Sequence, residues 1–269
     1  MIPYFLLGFV PLLLHVSDRM DQPLLEVISN PGLIVENLIA PIVRNYVTGR
    51  FLTAYWYIPF IMSTFLLLPL HIRFIRVSLS AQLLIVGVLS CIAIFMHRPM
   101  WNVNVLQSVV YYAPIYLIGI MASIYKDVVY KSLENKDFLL LAVAIGIAVF
   151  QAYLGIVGNY HKPILEFNGI DLIFVQKIFL SFFFMIFLHR FEHLNNKFIH
   201  TVASTSFAIF FIHPLILKIL EVYLEITVFR TDSWLVFSLV VSGLVLVCVL
   251  IAKLIRKILQ SKSRYLIGY

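Results

Sequence analysis

Residues 233–252 read SWLVFSLVVSGLVLVCVLIA, an apolar run without a single charge. A bilayer core of about 30 Å is crossed by roughly 20 apolar residues of helix, so this run is a membrane span. The rest of the chain repeats the pattern. Residues 51–72, 77–97, 99–125 and 138–161 are also free of Asp, Glu, Lys and Arg. Segments 172–189 and 198–220 are interrupted only by Lys177 and Lys218, and a short apolar segment, 2–16, precedes them all. The sequence therefore predicts an all-α polytopic membrane bundle of about eight spans, with residues 1–269 forming a single transmembrane domain. The opening segment lacks the basic start and small-residue cleavage site of a signal peptide and carries Pro3 and Pro11, so it reads as a retained span.

Composition agrees. Of 269 residues, 62% are hydrophobic and 12% charged, with a mean hydropathy of +0.98. A water-facing domain carries about twice that charged share. This excludes a soluble enzyme, a nucleic-acid reader and a secreted disulfide scaffold. Cys91 and Cys248 each lie in a long apolar run, which points to neither a disulfide nor a metal cluster. The net charge of +7 is distributed as orientation predicts. Alternate loops and the C-terminal tail collect 12 of the 20 Lys and Arg residues, against 6 in the opposite loops. Basic loops stay in the cytoplasm, so both termini are expected there.

The longest polar stretch, 17–50, is too short for a second domain. Its part 31–45 sets Leu33, Ile34, Leu38, Ile39 and Ile42 against Glu36, Asn37 and Arg44. That spacing suits a helix lying on the membrane surface, with a solvated loop as the other reading. Pro59, Pro69, Pro114 and Pro214 fall inside expected spans and would kink them, leaving room for a cavity. Small pairs at four-residue spacing (Gly119 with Ser123, Ala142 with Gly146, Ser238 with Ser242) would allow close helix contact.

Intramembrane polar groups are costly and mark candidate sites. His213 lies near the middle of its span, and Ser206, Phe210, His213 and Leu217 share one helix face. Ser206 and His213 stand about 10 Å apart along the axis, too far for a nucleophile and its base. His213 either lines a site or sets packing against a neighbour, and the residues leave both open. Lys177 and Lys218 read better as snorkelling or paired cations than as catalysts, Lys218 having Glu221 three residues on. Trp56 and Tyr57 are either an interfacial aromatic belt, which position favours, or a stacking platform for a sugar.

These residues add up to a resemblance. Trp56-Tyr57-Ile58-Pro59 with Phe65-Leu66-Leu67-Leu68-Pro69-Leu70 resembles the aromatic span of acyltransferase family 3, whose members acylate bacterial surface polysaccharides and related acceptors. Tyr116-Leu117-Ile118-Gly119-Ile120-Met121 is similar to a second family helix. Ser204-Thr205-Ser206-Phe207-Ala208-Ile209-Phe210-Phe211-Ile212-His213-Pro214 is similar to the family's serine–histidine helix, with Ala208 in place of the usual glycine. Tyr265-Leu266-Ile267-Gly268 fits its tail. The resemblance implies a membrane-bound O-acyltransferase of a bacterial inner membrane, moving an acetyl or succinyl group from acyl-CoA, acetyl-CoA foremost. Its acceptor would be a cell-surface glycan or lipid-linked precursor, with Trp56, Tyr57, Ser206 and His213 as substrate-binding residues and no metal or nucleic acid involved. Met1-Ile2-Pro3-Tyr4 resembles a later point in the family pattern, beyond its first two spans, its catalytic histidine and its arginine pair. By that correspondence the catalytic residue is unassigned and residues 1–269 alone would transfer poorly. A polysaccharide exporter or other small transporter, or an inactive remnant, are the alternatives.

Overall fold

The computed structural model describes residues 2–9, 32, 35–50, 52, 54–102, 104–156, 161–166, 169–194, 196–224 and 233–268. It is helical almost throughout and divides into two compact units. One joins Met1–Pro59 to Asn195–Tyr269, and the other is Phe60–Leu194.

The first unit opens with α1 (residues 2–9). A single π-helical turn, Val35–Ile39, leads into α2, Ala40–Thr48. The helical reading of 31–45 therefore holds where the chain is described, and the loop reading does not. The π turn was not foreseeable from the apolar spacing. Tyrosines staple α1 to α2: the Tyr4 hydroxyl donates to the Tyr46 carbonyl and the Tyr46 hydroxyl to the Phe5 carbonyl, each at 2.8 Å. Gly49 ends α2 in the left-handed conformation, φ 70°, where a side chain would also strike the backbone of Tyr55 and Trp56. This is a close approach only glycine permits.

Helices α10 (Lys197–Leu224) and α11 (Trp234–Leu259) pack together in this unit, and the short α12 (Ser263–Ile267) closes on both. Ala208, Ile212, Cys248, Ala252 and Ile267 form one buried cluster. In lipid the hydrophobic effect does not drive such contacts; close van der Waals packing does. That explains why Ala208, Cys248 and Ala252, all small, sit at 0% exposure where the backbones approach.

The second unit contains most of α3 (Tyr57–Leu66), then α4 (Leu68–Arg76), bent by 57° from α3. Pro69 sits in the first turn of α4, where its missing N–H costs nothing but its ring blocks continuation from α3. Proline thus breaks the expected 51–72 span rather than merely kinking it, whereas Pro114 and Pro214 lie inside unbroken helices. Next come α5 (Leu79–Met96), β1 (Arg98–Pro99), α6 (Val105–Ile124) and α7 (Lys126–Leu133). Then follow α8 (Asp137–Tyr153), β2 (His161–Lys162) and α9 (Leu172–His189). α5 packs on α6, α8 on α9, and β1 pairs in parallel with β2. Four of the apolar helices begin at side-chain caps: Ser78, Asn104, Asp171 and Ser233 each accept a backbone N–H of their own first turn, as polar residues ahead of an apolar run do.

Among the described residues, five helices are long and apolar enough to span a membrane, or seven if each bent pair, α3–α4 and α7–α8, counts as one crossing. The expected eighth span falls on residues 2–16, of which 10–16 lie outside the described residues. The all-α polytopic bundle holds. The small-residue pairs behave otherwise than expected: all six residues are exposed, and nothing lies within 4 Å of a methyl group placed on Gly119 or Gly146. They are not the contact seams of these units.

Candidate functional site

The first unit assembles the sequence-predicted residues around α10. Tyr55 is fully buried, and its hydroxyl donates to the Phe211 carbonyl at 2.9 Å. That bond falls beside the Phe210 carbonyl, which Pro214 cannot engage because it lacks an N–H. The anchored Tyr55 fixes the two residues after it. Tyr57 meets Phe210 edge-on at 5.9 Å between centroids, and Trp56 meets Tyr57 at 6.2 Å with rings nearly perpendicular. The two aromatics from one end of the chain thus reach the face carrying Ser206, Phe210 and His213. Tyr57 is 41% exposed, open to a ligand.

His213 is half-buried, and its Nδ1 lies 2.8 Å from the Ile209 carbonyl one turn back. A carbonyl only accepts, so Nδ1 carries the hydrogen. In the neutral ring Nε2 is then a lone pair, able to accept from a hydroxyl. Ser206 is exposed and makes no hydrogen bond among the described residues. Its neighbours differ: the hydroxyls of Ser204 and Thr205 both donate to the Thr201 carbonyl, at 3.0 and 2.8 Å. Of the Ser-Thr-Ser triplet only Ser206 keeps its hydroxyl for another partner. This face can hold and orient an alcohol. It does not form a nucleophile–base pair, as the 10 Å spacing along the helix requires. Lys218 pairs with Glu221 at 3.5 Å near the surface, as expected.

The second unit holds a polar cluster that the sequence reading missed. His97, Gln107, Tyr111 and Asp171 are all 2% exposed or less. Asp171 caps α9 by accepting the Phe174 N–H at 3.0 Å, and its other oxygen accepts the Tyr111 hydroxyl at 2.9 Å. The His97 Nε2 donates to the Gly169 carbonyl at 2.9 Å, and its Nδ1 stands 3.9 Å from Asp171. The Gln107 amide reaches the carbonyls of His97 and Lys162 at 3.3 and 3.2 Å, tying β1 to β2. Burial lowers the pKa of Lys162 below the ordinary lysine range, with Glu166 and Asp171 pulling it back. An Asp directly before a long apolar run is a cap signature and was the available signal. Its pairing with Tyr111, 60 residues earlier, leaves none. At the far end of α9, the exposed Arg190 meets the buried carboxylate of Asp137 at 2.5 Å, joining α8 to α9.

Among the described residues no three His, Cys, Asp or Glu side chains gather where a metal ion could be held. The family model described as an acyltransferase domain matches residues 1–253. No curated protein and no solved structure matches the sequence.

Proposed function

This chain belongs to acyltransferase family 3, and from that premise we propose that it is a membrane-bound O-acyltransferase acting on a cell-surface glycan or its lipid-linked precursor. The donor is acyl-CoA, with acetyl the first acyl group to test, and the enzyme sits in a bacterial inner membrane with both termini in the cytoplasm. The observation that carries the reading is the family match over nearly the whole chain. The geometry around α10 supports the acceptor side of it. Trp56 and Tyr57 stack on a sugar ring, as amphipathic aromatics do. The Nε2 of His213 accepts a hydrogen bond from the sugar hydroxyl, and Ser206 supplies a second polar contact.

In the transfer, the thioester C–S bond breaks and a C–O bond forms between the acyl carbon and the sugar oxygen. The hydroxyl proton leaves with the thiol of free CoA. A charged donor cannot cross the bilayer, so the bundle must bring acyl group and hydroxyl together. Holding the hydroxyl in line is what His213 contributes, through the positioning that makes such steps fast.

The test is His213→Ala introduced into the gene in its own host, with surface glycan O-acyl groups counted by mass spectrometry and membrane abundance by immunoblot. Acylation should fall about tenfold, as loss of one hydrogen bond worth about 1.4 kcal/mol implies, while abundance stays near normal. Reduced abundance with normal acylation per molecule would make His213 a packing residue and sink its acceptor role.

A further inference from the structure

Helix α11 runs for 26 residues, about 39 Å of helix, against a hydrocarbon core of about 30 Å. Its uncharged part, 234–252, is about 28 Å long, so Lys253 stands where the hydrocarbon ends. Lys253 and Lys257 follow one turn apart, both exposed, on one stripe of the helix. Beside that stripe runs a row of exposed apolar side chains, Leu250, Leu254 and Ile258. The chain after α11 then folds back on α10 and α11. Gln260 makes the reversal at φ 47° and ψ −123°, a region that side chains rarely adopt. The Ser263 hydroxyl donates to the Gln260 carbonyl at 2.6 Å, and Ser263 and Ile267 are only 1% exposed. Ile267 sits among Ala208, Ile212, Cys248 and Ala252, and Gly268 lies against the Phe207 ring. Lys262 and Arg264 flank the buried Ser263 and are exposed. The fold-back therefore pins both beside the end of α11.

This positive charge is locally uncompensated. Residues 233–269 contain no Asp or Glu. The side chains of Lys253, Lys257, Lys262 and Arg264 make no hydrogen bond or ion pair among the described residues. Arg256 lies near them but has an interaction of its own. Elsewhere Arg190 pairs with Asp137 and Lys218 with Glu221, and Lys126, Lys131 and Lys136 share their stretch with Asp127 and Glu134. We propose that Lys253, Lys257, Lys262 and Arg264 form a docking surface for the phosphates of anionic lipid headgroups in the leaflet at that end of α11. Depth and charge together select that partner. Basic groups just past an apolar span stand at headgroup height and attract anionic lipid. Their stems lie along apolar surface such as the Leu254–Ile258 row while the charge reaches the phosphates. The exposed Tyr265 suits the same interfacial layer. The surface begins where the family match, residues 1–253, ends, so it does not rest on the acyl-transfer reading.

The test reads lipid binding and needs no turnover. The purified full chain in neutral detergent is titrated with dioleoyl phosphatidylglycerol and, separately, with dioleoyl phosphatidylcholine, and bound lipid is counted by native mass spectrometry. The anionic lipid should bind at least about tenfold more tightly, since each basic group near a membrane surface is worth about fivefold. Combining Lys257→Gln, Lys262→Gln and Arg264→Gln should remove most of that preference. Removing the same charge elsewhere, by Lys126→Gln, Lys131→Gln and Lys136→Gln together, should leave it intact. If the first triple variant does not yield folded protein, Lys253→Gln with Lys257→Gln takes its place, and at least about a tenfold loss is expected. Equal binding of the two lipids, or equal losses in both triple variants, overturns the surface. Displacement of phosphatidylglycerol by equimolar inorganic pyrophosphate also overturns it, because the site would then belong to a soluble phosphate.

Discussion

The two units treat their polar side chains in opposite ways. In the second, His97, Gln107, Tyr111 and Asp171 are sealed at 0–2% exposure and bonded to one another or to backbone carbonyls. In the first, Ser206 is exposed, His213 is half-buried, and Tyr57 is 41% exposed. A sealed network carries its weight as stability, because any lost partner leaves a buried polar group without one. A half-open face holds bonding capacity in reserve, at some cost to packing. The comparison separates a structural cluster that looks catalytic from a looser face that suits a ligand. It also shows why burial must accompany residue type: a His beside an Asp in an enclosed space is here a clamp between α6, α9 and the β1–β2 link.

Substitutions can break this contrast. The largest effect should come from Asp171→Ala, which removes a helix cap and the acceptor of the Tyr111 hydroxyl. A cost of about 2–4 kcal/mol is expected, read as loss of stability in denaturant-driven unfolding of the purified protein. A cost under 1 kcal/mol would mean the cluster is not sealed. Next is Gly268→Ala in the first unit. Gly268 has φ 74°, and a methyl there would overlap the Phe207 ring of α10, so about 1–3 kcal/mol should be lost. The same assay reads it, and an unchanged protein would show that the tail does not rest on α10.

Tyr55→Phe removes only the hydroxyl that donates to the Phe211 carbonyl. About 1 kcal/mol is expected, together with weaker acylation of the proposed glycan acceptor, because Tyr55 positions Trp56 and Tyr57. Full stability with lost acylation would sharpen the contrast by assigning Tyr55 to the ligand face alone. Lys218→Ala should be the mildest. Its pair with Glu221, at 3.5 Å and largely exposed, is worth no more than about 0.5 kcal/mol. A larger loss in a thermal scan would place Lys218 in a network that the geometry does not show.

Much of the fold was legible because a membrane imposes one dominant rule. Every backbone group must be bonded within its own segment, so long apolar runs become helices. The run 172–189 matches α9 residue for residue. The break at Leu67 was not legible as a break: Pro69 was visible, but proline inside a span more often kinks than severs. The aromatic and serine–histidine stretches were legible as pieces. Their meeting was not, since Tyr57 and Phe210 are separated by most of the chain and helical periodicity says nothing about partners. The small-residue pairs misled for a related reason. Spacing shows that a close contact is possible, not that a neighbour is there.

By itself, the sequence determined that this chain is an all-α multi-pass membrane protein of acyltransferase family 3, because length, hydropathy and short motifs are properties of consecutive residues. Only the tertiary structure decided which polar residues are sealed and which are open. It joined Asp171 to Tyr111, set Lys177 over the Tyr111 ring, and brought Tyr57 against the His213 face. Those outcomes depend on which helices touch and at what rotation. In lipid they are set by the fit of side chains across distant segments, which the order of residues along the chain does not express.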